Sequence, residues 1–467
     1  MNKCPGGRMN MKKRVAYHIV ALAALILLSP LVQPRLEATE LMSTGPIVPA
    51  AGQPSSQPTT TTDAGMKQPP VLTLGRCIET ALRKNPVIVA AGFNVDAGQS
   101  RVGEARSGYY PQLSASAGYS KIQPAPGAAA GPGTFDQYSS GVSLNMNLLD
   151  FGKTSQQVDI SKLYLSASRS DLEAAQDAII LSVKQSYYGV LQAKRNRDVA
   201  ADVLKQFQLH LDQAKGFYEV GTKARIDVIK AEVDLSNAKL SLITSENSLK
   251  IAWVALFNFM GTPDTPDTGI EDNLSFQKYT ITQEEAKMRA FDNRSDLKSI
   301  IAKRQAAETT IGFARSGYYP SLAGIANYNW AGETTSTVDH SWNAGVVLTV
   351  PLFSGFMTSH QVAEAKANLY AQRASEEALR QQILLDVRQS YLNLQAAEES
   401  IAAAELASRQ ARENLDLANG RYAAGVGSPI EVSDAFATYV TAQANYTNVL
   451  SNYKIAQANI EKAMGAR

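Results

Sequence analysis

Residues Ala105 to Pro111 read ARSGYYP, and the same seven letters return at Ala314 to Pro320, 209 positions downstream. Chance does not place an identical heptapeptide twice in one chain, so the sequence is a tandem duplication whose copies share an architecture. The echo continues on both sides. Near an offset of 204, QSYYGV at Gln185 to Val190 faces QSYLNL at Gln389 to Leu394. Tyr218, Gly221, Ile226 and Val228 face Tyr422, Gly425, Ile430 and Val432, and Lys250, Ile251, Ala252, Met260 and Gly261 face Lys454, Ile455, Ala456, Met464 and Gly465. Each copy is about 190 residues long, far above the ~20 to 50 of a solenoid repeat, so two large half-units pack together or build one shared object.

Proline placement exposes the helices. None falls between Pro132 and Pro263 or between Pro351 and Pro429, and both intervals are rich in Ala, Gln, Leu, Glu, Lys and Arg, the composition of unbroken helix. The first copy is predicted as a helix from about Pro86 to Tyr110, a β region, a long helix from Lys153 to Lys215, a turn, and a helix from Ile226 to Met260. The second repeats this order from about Ser295, with its long helix over Thr358 to Asn419. At ~1.5 Å per residue each long helix extends roughly 90 Å, and the two shorter ones sum to nearly the same length, so stacked end to end they flank it. Apolar positions such as Ile179, Ile180, Val183, Tyr187, Val190 and Leu191, or Ile383, Leu384, Val387, Tyr391 and Leu394, form a thin Ala-rich stripe. That stripe suits side-by-side coiled-coil packing better than a thick globular core.

The β regions alternate. Leu113, Ala115, Ala117 and Tyr119 interleave with Ser114, Ser116, Gly118 and Ser120, and the copy has Leu322, Gly324, Ala326, Tyr328 and Trp330 on one face. The returning strands agree: Val142, Leu144, Met146 and Leu148 alternate with Ser143, Asn145 and Asn147, and Val346, Leu348, Val350 and Leu352 with Val347 and Thr349. Strands of about ten residues, polar or small on one face and aromatic near the ends, carry the pattern of an outer-membrane barrel, although a half-buried soluble sheet alternates too. Four strands cannot close a barrel, which needs about eight, and an open edge in lipid leaves backbone groups unpaired, so several chains must pool their strands. Gln123 to Gln137 and Gly332 to Ser341 are predicted as the longer outer loops.

The N-terminus sets the compartment. Lys12, Lys13 and Arg14 precede an apolar run from Val15 to Leu28, and a small-residue site follows at Glu37-Ala38-Thr39, the signature of a cleaved export signal. Thr39 to Pro70 is rich in Pro, Thr, Ser, Gln and Gly and reads as a disordered leader. The two cysteines are Cys4 and Cys77, which gives the exported chain no disulfide framework. Net charge is +2 with charges interspersed, so nucleic acid is not a partner class the sequence supports. The four histidines, His18, His210, His340 and His360, are isolated, and Gly127 to Gly133 lacks a phosphate-binding lysine pattern. Catalysis, cofactors and metals therefore have no motif to stand on. The predicted division is 1–38 signal peptide, 39–70 leader, 71–261 first repeat, 262–280 inter-repeat segment and 281–467 second repeat.

With its Asn85-Pro86 opening, two YYP helix-to-strand transitions, LLDFG at Leu148 to Gly152 answered by LFSGF at Leu352 to Phe356, and paired YxxG turns, the chain resembles the TolC-like outer-membrane factor family over roughly Val71 to Gly465. The resemblance implies a mainly α fold with a transmembrane β part. Three chains would form a 12-stranded outer-membrane barrel continued by a periplasmic α-helical tunnel, with a collar drawing on Thr262 to Tyr279. It implies an exit duct of a tripartite efflux or type I secretion system, fed by a periplasmic adaptor and an inner-membrane pump of the RND or ABC type.

At the helix turns, Glu431 and Asp434 are three apart and share a helical face. In a trimer they make two rings of negative charge that would narrow the entrance and favour cations; the spacing alone favours two solvated surface carboxylates, and only the resemblance assigns them to a gate. It likewise assigns Tyr422 and Asp227 to a latch between neighbouring hairpins. It departs at Gly427, where the family often has arginine, with Lys223 at the counterpart. Gly221, Thr222, Lys223, Gly425, Val426, Ser428 and Pro429 form the tips that the family presents to its adaptor, though Gly and Pro also simply reverse a chain. A soluble periplasmic coiled-coil adaptor or structural protein without channel activity is the alternative.

Overall fold

A computed structural model describes residues 71–124, 133–262 and 269–466. The predicted signal peptide and leader, part of the first outer loop and residues 263–268 of the predicted collar lie outside the described residues. The element order is α1 (Leu74–Lys84), α2 (Pro86–Ser107), β1 (Gln112–Ile122), β2 (Phe135–Leu149), α3 (Lys153–Glu219), α4 (Arg225–Met260), α5 (Gln283–Asn293), α6 (Ser295–Arg315), a 3-10 turn (Ser316–Tyr318), β3 (Ser321–Thr334), β4 (Thr337–Thr349), α7 (Met357–Ala423) and α8 (Pro429–Ala463). The order repeats from α5 onward. The long helices α3 and α7 each hold 67 residues, roughly 100 Å at ~1.5 Å per residue.

The helices lie side by side. Between the strands and the inter-repeat segment the neighbours run α2, α3, α6, α7, and toward the hairpin turns they run α4, α3, α8, α7. The short helices thus continue one another along the long ones, as their lengths predict. The short helices α1 and α5 were not among the sequence expectations. Their eleven residues each are capped by Thr73 and Thr282, whose side chains accept from Arg76 N and Glu285 N.

The joints explain why particular letters recur. Asn85 accepts from Val87 N and donates its amide to Phe259 O at 2.8 Å, and Pro86 opens α2 with its φ already set. In the second copy Arg294 takes that corner, buried and paired to Asp296 at 2.6 Å and Asp386 at 3.0 Å. Gly261 (φ 69°) and Gly465 (φ 66°) end α4 and α8 in the left-handed conformation, and each packs directly against the backbone of its corner. The glycine of the repeated heptapeptide has an equally local cause. A Cβ on Gly108 would meet Thr154 Cγ2 at 3.0 Å, and one on Gly317 would meet Thr358 Cγ2 at 3.1 Å.

The core differs from the expected thin stripe. Ile179, Val183, Tyr187, Val190, Leu191, Ile383, Val387 and Leu394 belong to one thick cluster with Leu256, Met260, Tyr453, Ile460 and Met464. The reason is a further layer, because α1, α5 and the inter-repeat segment cover the helices there. The described residues of that segment carry little regular structure and are held by side chains. The Tyr187 hydroxyl donates to Glu271 O at 2.7 Å, and Arg195 grips Asp272 through two bonds of 3.0 and 2.8 Å and Leu274 O at 2.9 Å. The Tyr453 hydroxyl donates to Gln277 O at 2.8 Å and accepts from Tyr279 N.

The four strands form one antiparallel sheet in the order β1-β2-β3-β4. The predicted outer loop Gly332 to Ser341 is mostly strand: β3 reaches Thr334, β4 starts at Thr337, and the hydroxyls of Thr334 and Thr337 meet at 2.7 Å. Its Thr residues, read as loop, are strand formers.

Candidate functional site at the sheet and the hairpin tips

Register sorts the side chains of the sheet into two unlike faces. Leu113, Leu144, Ala326 and Ala344 lie in one row and Ala115, Val142, Tyr328 and Trp342 in the next, all on one face. The rows of the other face are Ser114, Ser143, Asn327 and Asn343, then Ser116, Gly141, Asn329 and Ser341. The Ser114 and Ser143 hydroxyls meet at 2.6 Å. A Cβ at Gly141 would lie 2.5 Å from Asn329 Oδ1, so a larger residue there displaces that amide. The apolar face is open: Leu113 is 71 %, Trp342 72 % and Val346 62 % exposed.

Aromatic side chains border this face at both ends. Tyr119, Tyr138 and Trp330 stand toward the hairpin ends, with Tyr119 and Tyr138 rings 5.2 Å apart, while Tyr328 and Trp342 stand at mid-strand. Tyr109, Tyr110, Phe151, Tyr318, Tyr319, Phe353 and Phe356 stand at the junctions with the helices, where Phe151 stacks on Tyr319 at 5.7 Å. From Tyr110 to Tyr119 is nine residues, about 30 Å of strand, or roughly 23 Å of height at the ~40° tilt of membrane barrels, close to their ~25 Å apolar band. At the junctions Phe151 (φ 49°) and Phe356 (φ 64°) take left-handed conformations beside Gly152 and Gly355. A non-glycine residue there costs about 1–3 kcal/mol, yet both copies keep a phenylalanine in the corner. No described helix is long and apolar enough to cross a membrane.

The second site is the pair of hairpin turns, which close alike. Thr222 N and Lys223 N donate to Phe217 O, and Val426 N and Gly427 N to Arg421 O. Gly221 (φ 74°) and Gly425 (φ 77°) supply the left-handed residue that L side chains rarely adopt. Gly427 N lies 2.9 Å from its acceptor against 3.3 Å for Lys223 N. A Cβ on Gly427 would sit 2.7 Å from Tyr422 N, so the tighter second turn excludes the arginine of the sequence comparison and the looser first turn admits its lysine. Ser428 accepts from Ile430 N and Pro429 begins α8. Gly221, Thr222, Gly425 and Val426 are exposed, and Lys223, Ser428 and Pro429 are half-buried.

Glu431, in the first turn of α8, pairs with Arg421 Nε at 3.3 Å while both side chains stay about half exposed, a contact of less than about 1 kcal/mol in water. Asp434 is exposed one turn further on. Asp227 lies half-buried in the first turn of α4. Tyr422 behaves differently from its repeat-mate Tyr218: the former is 1 % exposed, the latter 47 %. Its ring meets His210 at 4.5 Å and Phe217 edge-on at 5.8 Å, and Lys223 Nζ lies over it at 5.9 Å. Beside it Phe207 of α3 packs on Phe436 of α8 at 4.6 Å. Burial raises the Tyr422 hydroxyl's pKa, and the Asp227 carboxylate adds to this. Among the described residues that hydroxyl is buried without a hydrogen-bond partner, so the two hairpins of one chain meet through rings. The sequence alone shows His210 as an isolated histidine and gives Phe207 and Phe217 no role, yet their spacing of three and seven with Ala214 between puts them on one helical face, a signal that periodicity carries.

The family model described as outer membrane efflux protein matches residues 77–262 and 288–466, one match per copy. Outer membrane protein TolC of Vibrio cholerae is 25 % identical over 403 residues, covering 84 % of this chain and 90 % of that protein. Outer membrane protein TolC of Escherichia coli K12 is 25 % identical over 413 residues, with 83 % and 81 % covered. The fold of CusC, in a crystallographic study of transmembrane channel formation, superposes with a TM-score of 0.75 at 18 % identity over 87 % of this chain and 95 % of that one. A lipid-suited sheet carried on long paired helices, duplicated within one chain and matched in both copies, places this protein in the outer membrane as a member of the outer membrane efflux protein family.

Proposed function

We propose that three copies of this chain close into the outer-membrane exit duct of a tripartite efflux or type I secretion system, conducting substrate passively from a periplasmic adaptor and an inner-membrane pump to the outside. The observation that carries the reading is the largely apolar face of the sheet, bordered by aromatics and backed by a face rich in Ser, Asn and Gly. In water such an exposed apolar surface is a liability; around a barrel it faces lipid while the polar face lines the passage.

Assembly is supported by what the single chain leaves open. Among the described residues strands β1 and β4 each have an unpaired edge, which lipid does not tolerate. Helix α4 exposes Ile226, Ile229, Val233, Leu240, Ile243 and Val254, and α7, at the opposite edge of the helix row, exposes Leu385, Leu392, Leu406 and Leu417. The α4 residues recur at about three and four, the spacing of a coiled-coil seam. Joining the α4 edge of one copy to the α7 edge of the next covers both stripes, and three copies supply twelve strands and a closed wall of helices. The tip loops at Gly221 to Lys223 and Gly425 to Pro429 are the surface offered to the adaptor.

The test is conductance. Purified protein in a planar bilayer gives discrete channels; absence of any conductance, with extraction into buffer without detergent, would end this reading. At the periplasmic mouth Glu431 and Asp434 act as the cation-attracting part of the gate. Glu431→Gln with Asp434→Asn lowers cation-over-anion selectivity, read from the reversal potential in a salt gradient, and weakens block by polyvalent cations. Unchanged values in the double variant remove the pair from the gate.

A further inference from the structure

The contact between the two hairpins at the tip contains a titratable group that the channel reading leaves unused. His210 is 5 % exposed and sits ring to ring with Tyr422, across the boundary between α3 of the first hairpin and α7 of the second. Phe217 closes one side of the Tyr422 ring and Lys223 lies over it. On α4 the charged groups felt by His210 are Asp227, Asp234 and Lys230. The group it faces on α7 is Tyr422, and on α8 the neighbouring contact is the apolar Phe436. A hydrogen-bonded tyrosine latch has its hydroxyl satisfied, whereas here the hydroxyl is buried and unpartnered, a feature that works against the closed arrangement.

We propose that His210, with Phe217 and Lys223, forms a receptacle in which the Tyr422 ring is held by packing, and that protonation of His210 in mild acid releases the second hairpin and opens the periplasmic tip. This deepens the proposed channel function and rests on it. The closed cluster favours neutral imidazole: burial depresses the His210 pKa most, Lys230 in the same direction, while Asp234 and Asp227 oppose this. For a base whose pKa is depressed in the closed state, closure is favoured above the ordinary value near 6.5. It is weakened progressively as pH falls below that value, down to the depressed one. Each unit of depression corresponds to about tenfold in the open-to-closed ratio at the acid limit. Histidine is the side chain whose ordinary titration lies in this range.

Planar-bilayer conductance of the purified full-length protein, at about pH 7.5 and about pH 5.5, tests it, with every variant first checked for assembly on unheated gels. Wild type is expected to open several-fold more in acid, and His210→Phe and His210→Gln to lose that increase. Tyr422→Ala opens the tip at both pH values. Tyr422→Phe, which removes the unsatisfied hydroxyl and keeps the ring, shifts the ratio toward closed by up to about tenfold. An acid response that persists in both His210 variants overturns the proposal. So does Tyr422→Phe opening as readily as Tyr422→Ala, because the hydroxyl would then be the latch. If Tyr422→Ala conducts at neither pH, the channel reading itself fails and this inference with it.

Discussion

A Val346→Arg protein is expected to yield little or no assembled oligomer on unheated gels, while Asn145→Arg assembles nearly as wild type. Val346 stands on the apolar face opposite Gly324, 62 % exposed, four residues from Trp342. A cationic side chain on the lipid face of a barrel costs about 2–4 kcal/mol near mid-membrane, and in a trimer each copy bears it, so the sum approaches the whole stability of an ordinary domain. Asn145 is on the opposite face, exposed and opposite Gln112 and Ile325, where a charge would meet water. Equal tolerance of both substitutions, or the reverse order, would overturn the assignment of faces and with it the barrel.

The second large effect is expected at the ends of α4 and α8. Gly261→Ala and Gly465→Ala should each destabilise by about 3 kcal/mol or more, since an L residue at positive φ costs about 1–3 kcal/mol and forced overpacking a similar amount. The overpacking is specific. At Gly261 the added Cβ would lie 2.6 Å from Lys84 O, and at Gly465 2.9 Å from Arg294 N. These are backbone atoms with no rotamer to change. Gly103→Ala in α2 is the contrast: nothing lies within 4 Å of its Cβ position, and removing a helical glycine stabilises by about 0.5–1 kcal/mol. Thermal unfolding of the three purified variants orders them; a drop for Gly103→Ala equal to that of the other two would show that glycine loss, and not the corner contact, sets the effect.

Much of this fold was readable before any coordinates because its rules are local and stated twice. The repeated ARSGYYP located both helix-to-strand transitions. The helix bounds read within the proline-free intervals, Lys153 to Lys215 and Thr358 to Asn419, match α3 and α7 to within about four residues, and alternation placed all four strands and their faces. The errors also have local causes. The Thr-rich stretch around Thr334 and Thr337 was read for exposure although β-branched residues extend strands. The stripe through Val183 and Val387 was read as a thin seam because sequence period reports that a helix has an apolar side and is silent on how many layers cover it.

The tips divide the same way. From the letters, Tyr218 and Tyr422 are equivalent, and so are Lys223 and Gly427. Folding makes them unlike, because beyond α8, the partner of α7, lies α3 of the other hairpin, while beyond α4, the partner of α3, no further described helix follows. Tyr422 therefore points into a receptacle built by the other hairpin, and Tyr218 is left in the open. What the sequence by itself determined is the duplication, the length and period of each element, and which strand face shuns water. The tertiary structure decided which copy of each repeated residue is buried, what it touches, and that a solitary histidine belongs to that contact. Those outcomes depend on packing between segments more than 200 residues apart, which no local pattern records.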